Sequence, residues 1–121
     1  MIILFKNDKP FIEGVCLDEL ITAIETPFYI YSQKSIADAY KKLKDSLNTK
    51  IFFSVKANSN QAIISLMKSL GAGADVVSAG ELERALSAGV SPDNIIFEGV
   101  GKSLNDIEYA VYSNIRQINI E

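Results

Sequence analysis

The chain has 121 residues, of which 48% are hydrophobic, and a formal net charge of -3, enough apolar material for the core of one small domain. Lysine and arginine number 12 against 15 aspartates and glutamates, without a long run of either sign, which excludes a basic nucleic-acid surface and a polybasic membrane patch. The absence of histidine removes His-based acid–base pairs, Ser-His and Cys-His nucleophiles and the usual zinc sites, while the single cysteine, Cys16, excludes an internal disulfide and points to a reducing, cytoplasmic setting.

The first 25 residues carry short apolar runs at Ile2 to Phe5 and Phe11 to Cys16, broken by Asn7, Asp8, Pro10 and Gly14. The first run is too short for a signal-peptide core or a membrane span, and the pattern predicts a small hairpin followed by a short helix over Asp18 to Ile24. After Thr26 and Pro27, the aromatic stretch Phe28 to Tyr31 predicts a strand. Ser32 or Ser35 can cap the next helix, which places Ile36, Tyr40, Leu43 and Leu47 on one side and its lysines outward. Ile51 to Val55 then has the length and β-branched plus aromatic content of a buried strand, with Lys56 directly at its end.

Asn60 is placed to cap a helix carrying Ile63, Leu66, Met67 and Leu70 on one face, with Gly71 stopping it in a left-handed turn. Asp75 to Ser78 reads as a strand between glycines, and Gly80 to Ala88 as a helix that turns Leu82, Ala85 and Leu86 inward and ends at Gly89. Pro92 to Asn94 turn the chain into a strand at Ile95 to Phe97. Ser103 and Asp106 form a capping box for a helix with Leu104, Ile107, Ala110 and Val111 inward, and Gln117 to Ile120 is the last strand.

From Lys50 onward, strand and helix alternate with short connections and strands apolar enough to be covered on both sides, which is the pattern of a parallel α/β sheet. A doubly wound sheet and a (β/α)8 barrel both fit it. A barrel takes about 250 residues, so the chain would supply half of one. In either case ligands bind beyond the carboxyl ends of the strands, which would gather Lys56, Ser78 and the loop from Glu98 to Lys102 on one face.

Lys56 is the best nucleophile candidate there. A lysine delivered by an apolar strand either extends its ammonium into solvent or, if buried, loses its proton and becomes an amine able to form a Schiff base with a carbonyl. Asp75 and Glu81 bracket the next strand, where a carboxylate could hold the positive charge of a protonated imine, or where each could simply favour a turn or a helix start. GVGKS at Gly99 to Ser103 lacks the Walker spacing and reads as a turn and helix cap.

PFYIYS, FFSVKANSN, LGAGADVVSAGELERALSAGV and IIFEGVGKS, in this order, resemble the amino-terminal part of the fold-type III pyridoxal-phosphate decarboxylases. The likeness implies a partial (β/α)8 TIM barrel: residues 32–121 would be the first four β/α units of an alanine racemase-like barrel, and residues 1–31 an N-terminal segment and strand of a β-rich second domain. It also implies pyridoxal 5'-phosphate as cofactor, an amino-acid substrate losing carbon dioxide, and a homodimer without a nucleic-acid or membrane partner. Lys56 matches the lysine that holds the cofactor, Asp75 an aspartate near that imine, and Glu81 an acid of the same neighbourhood. The family's glycine-rich phosphate loops, substrate arginines and carboxy-terminal cysteine and tyrosine have no match here. Cys16 lies far upstream of where that cysteine falls, and Phe53 and Ser54 stand where many relatives have tyrosine and alanine.

Overall fold

A computed structural model describes residues 3–120 and divides the chain into two compact units, Met1–Ser46 and Leu47–Glu121. Ile2 and Glu121, to which the sequence reading also extends, lie outside the described residues.

In the first unit, strands β1 (Leu4–Lys6), β2 (Lys9–Ile12) and β3 (Val15–Cys16) form an antiparallel meander, followed by helix α1 (Leu17–Ala23). Two-residue loops connect the strands, and both residues of each have positive φ: Asn7 at 50° and Asp8 at 59°, then Glu13 at 50° and Gly14 at 86°. That is the signature of type I′ turns, whose twist matches paired strands. Phe28 to Tyr31 form no strand, contrary to expectation, because no backbone among the described residues pairs with them; Tyr29 and Tyr31 stack on each other with Tyr29 almost fully exposed. β-propensity describes a fit to a half-buried sheet surface, and without a ladder it has nothing to act on. Helix α2 (Gln33–Ser46) starts at Ser32, whose buried hydroxyl accepts the Ser35 N–H at 2.9 Å and donates to the Glu13 carboxylate. Of the side expected to be buried, Tyr40 is covered, whereas Leu43 and Leu47 are exposed.

The second unit alternates strand and helix: β4 (Phe52–Ser54), a 3-10 turn (Val55–Ala57), α3 (Gln61–Ser69), β5 (Gly73–Val76), α4 (Ala79–Ser87), β6 (Ile95–Phe97), α5 (Leu104–Tyr112) and β7 (Gln117–Ile118). The four strands are parallel and lie in sequence order, β4-β5-β6-β7. Three of them are displaced from expectation. Val55 leaves the first to open the turn that carries Lys56, Asp75 lies within the second while Ser78 caps the following helix, and the last stops at Ile118.

In-register residues of neighbouring strands share a face. One face presents Phe53, Ala74, Val76, Ile95, Phe97 and Ile118, and Ile64 of α3, Leu82 and Ala85 of α4 and Ala110 of α5 pack into the same cluster with Val55. All three helices therefore cover the same side. The other face carries the row Ser54, Asp75, Ile96 and Gln117, so it is not the apolar surface that the sequence predicts for both sides. Gly73 belongs to that face as well; a Cβ there would meet the Phe52 ring at 2.5 Å and the Asn94 carbonyl at 2.6 Å.

The three helices end alike. Gly71, Gly89 and Asn114 have φ of 98°, 81° and 50°, and the residue after each returns its N–H to the third-last helical carbonyl, as in the Schellman motif. Asn60 caps α3 by accepting the Ala62 N–H at 2.9 Å, and Ser103 with Asp106 closes the expected capping box on α5. Helix α5 departs from expectation: Ala110 is buried, but Leu104, Ile107 and Val111 form an exposed apolar stripe.

Candidate active site

Because β4 to β7 are parallel and adjacent, their carboxyl ends open on one rim. On it lie the turn Val55–Ala57 with Lys56, the loop at residues 77–78 before α4, and the loop at residues 98–103 before α5. Sequence reasoning placed Lys56, Ser78 and the Glu98 to Lys102 loop together, and the topology does so.

Lys56 reaches the rim because Val55, wholly buried, anchors the start of the 3-10 turn and Asn58 closes it by donating its N–H to the Val55 carbonyl at 3.1 Å. The lysine itself is exposed and has no hydrogen bond or ion pair among the described residues. Of the two placements the sequence leaves open for this lysine, buried or reaching into solvent, its exposure agrees with the second.

Asp75 sits on β5 in register with Ser54 of β4. Its Oδ1 and the Ser54 Oγ are both buried and both lack a hydrogen-bonding partner among the described residues. An orphaned buried polar atom costs about 1–3 kcal/mol, so two side by side mark a place suited to a bound polar group.

Glu81 is already engaged. Its carboxylate accepts the Val77 N–H at 3.0 Å, and its own N–H donates to the Ser78 hydroxyl at 3.2 Å, so it braces the loop after β5. Asp106 is the residue whose part the sequence reading understates. Besides closing its own capping box, its Oδ1 accepts the Ala79 N–H at 2.7 Å, tying the start of α5 to the start of α4. Donation from the Ser103 hydroxyl, then from the Ala79 and Ser103 N–H groups, holds its carboxyl below the usual range. No sequence signal could have shown that link, since it joins residues far apart in the chain.

The remaining cations of the rim fold back on the protein: Lys102 donates to the Gly99 carbonyl and lies 5.8 Å from the centre of the Phe97 ring. Beside it a cleft of about 300 Å³ opens between Val100, Ile107 and Ile120. A larger hollow of about 490 Å³ runs along α2 in the first unit, lined by the exposed polar and charged residues Asp38, Lys41, Lys42, Asp45 and Ser46. Each helix start on the rim carries a side-chain cap: Asn60 on α3, Ser78 and Asp106 on α4, and Ser103 on α5. The residues fit the aldehyde end of a pyridoxal group, with an open amine after β4 and a carboxylate with one unpartnered oxygen on the neighbouring strand β5.

Residues 33–121 match the family model for the pyridoxal-binding domain of pyridoxal-dependent decarboxylases. The chain belongs to this family. Relatives named diaminopimelate decarboxylase include one from Helicobacter pylori, 45% identical over 86% of the chain, and one from Pseudomonas fluorescens, 41% identical over 97% of it. Among solved structures, a protein from Aquifex aeolicus superposes with a TM-score of 0.94 at 39% identity over 98% of the chain. The chain spans 26% and 29% of the two relatives and 30% of that structure. Pyridoxal-dependent decarboxylases thus share with this chain the parallel sheet and helices just described.

Proposed function

We propose that the chain is the amino-terminal part of a pyridoxal-phosphate-dependent diaminopimelate decarboxylase, releasing carbon dioxide from meso-2,6-diaminopimelate to leave L-lysine. The observation that carries the reading is an open Lys56 amine just after β4 together with an Asp75 carboxylate, one oxygen of it unpartnered among the described residues, on the adjacent parallel strand, in a chain of this family. Supporting the substrate, a Helicobacter pylori diaminopimelate decarboxylase complexed with L-lysine matches 87% of the chain with a TM-score of 0.82 at 44% identity, and a variant of it matches with a TM-score of 0.83 at the same identity and coverage.

Strand order without reversal and helices on one side support a partial (β/α)8 barrel over a doubly wound sheet, which would carry helices on both faces. We assign residues 32–121 to that barrel and 1–31 to the family's β-rich domain. The exposed stripe of α5 and the open edge strands β4 and β7 suit coverage by the rest of a barrel. By itself, without that cover and without a phosphate anchor, the 121-residue chain is inactive on this reading. A homodimer in the cytoplasm completes the proposal.

Bound pyridoxal phosphate supplies the electron sink for the pair left when carbon dioxide departs. Lys56, on a turn fixed by Val55, would hold the group through its side-chain amine. Asp75 places a negative oxygen where positive charge would otherwise go uncompensated. Glu81 keeps the Val77–Ser78 loop in position by accepting a backbone hydrogen bond on one carboxylate oxygen, and its other oxygen would face the cofactor's neighbourhood as an acid of the site.

The full-length protein, assayed for carbon dioxide release, is expected to act on meso-2,6-diaminopimelate with at least tenfold preference over ornithine, arginine and carboxynorspermidine. A preference for any of the others would replace the substrate. Tight cofactor binding with no release from any of them would make the protein a non-catalytic pyridoxal-phosphate binder.

A further inference from the structure

Ser54 and Asp75 are partners across β4 and β5, with side chains on the face of the sheet away from the helices. Adjacent strands lie about 4.8 Å apart, so in-register polar atoms sit within reach of a single bridging group. Both atoms, Ser54 Oγ and Asp75 Oδ1, are buried and unpartnered among the described residues, whereas native buried polar groups rarely lack a partner. Neighbouring positions of that face offer them nothing: Ile96 is apolar and Gly73 has no side chain. The other ionisable groups on the flanking elements at this rim are Lys56 after β4, Glu81 and Asp106 at the starts of α4 and α5, and Glu98 and Lys102 after β6. Of these, Glu81 binds Val77, Asp106 binds Ala79 and Ser103, Glu98 accepts from Asn119, and Lys102 binds Gly99.

We propose that Ser54 and Asp75 together hold one N–H or O–H group between them, and that Ser54 is thereby a positioning residue for the Asp75 carboxylate. Resting on the pyridoxal reading above, the group is either a hydroxyl or protonated nitrogen of the cofactor adduct or a water molecule that stands in for it. A serine that holds such a group, by accepting one hydrogen from it or donating to its oxygen, keeps another donor hydrogen aimed at the carboxylate, which fixes the carboxylate's rotamer and favours its ionised form. An alanine at position 54 would leave Asp75 to make that contact alone.

The test uses the full-length protein and its Ser54→Ala and Ser54→Thr variants. The Asp75 carboxyl signal, identified by its loss in Asp75→Asn, is followed by carbon-13 NMR against pH without cofactor and then with pyridoxal phosphate. The expected result is an upward shift of the Asp75 midpoint by about half a pH unit or more in Ser54→Ala, with recovery in Ser54→Thr. A shift already present without cofactor assigns the shared group to water; one that emerges only with pyridoxal phosphate, together with a change in its visible absorbance, assigns it to the cofactor. Titrations of wild type and Ser54→Ala that superpose in both states overturn the proposal. Failure of the underlying reading looks different: wild type then develops no visible absorbance with pyridoxal phosphate, and the cofactor-free titration still decides whether Ser54 acts on Asp75.

Discussion

The two units of the chain are held in different ways. In Met1–Ser46 the buried side chains are Ile12, Cys16, Ser32 and Tyr40, while Phe5, Ile21 and Tyr29 are exposed, so shape there depends on two tight turns and one capped helix. In Leu47–Glu121 a continuous cluster from Val55 to Ala110 is sealed between one sheet face and three helices. Local turn chemistry suffices to draw the first unit; the second needs the burial of a whole face, and only such a unit can hold a rim of loops rigidly enough for chemistry.

The sharpest way to break this contrast is to empty the core. Phe97→Ala removes the largest fully buried side chain of the second unit and should cost about 3–5 kcal/mol in urea unfolding, whereas Phe5→Ala in the first should stay within about 0.5 kcal/mol. Comparable losses at both positions would erase the distinction. Gly73→Ala forces a methyl against the Phe52 ring and the Asn94 carbonyl, and a destabilisation of about 1–3 kcal/mol is expected from the same measurement.

The caps come next. Ser103→Ala should cost about 1 kcal/mol. Asp106 adds a pH dependence whose sign is fixed: its folded carboxyl titrates below the unfolded value of about 3.9, so its contribution is present above that pH and is lost as pH falls through the folded value. Urea midpoints between pH 7 and pH 2 should therefore fall less steeply at the acid end for Asp106→Asn than for the parent. The smallest effect belongs to the first unit: Asp8→Gly, at φ 59°, should be neutral to stabilising by a few tenths of a kcal/mol, since glycine adopts that conformation without strain.

What was legible in the sequence was chemistry confined to a few consecutive residues. Asn60, Ser103 and Asp106 cap where expected, and Gly71 and Gly89 end their helices, because each signal is complete within one turn. The alternation of strand and helix after Lys50 was equally readable. Asn7-Asp8 and Glu13-Gly14 gave a weaker turn signal than Asn-Gly, which is why one hairpin was expected and two are found. Phe28 to Tyr31 misled because propensity names a surface and not its partner. Leu104, Ile107 and Val111 misled because helical periodicity shows that a face is apolar, not that anything in the chain covers it. Within the site, the exposure of Lys56, the engagement of Glu81 with Val77 and the bond from Ala79 to Asp106 depend on how the rim loops meet.

The central claim is that the amine at position 56 is the one that takes the cofactor. The full-length protein, incubated with pyridoxal phosphate, reduced with borohydride and mapped by peptide mass spectrometry, should carry the pyridoxyl group on Lys56, and Lys56→Ala should carry none. A label found on another lysine, or retained in Lys56→Ala, would contradict the account.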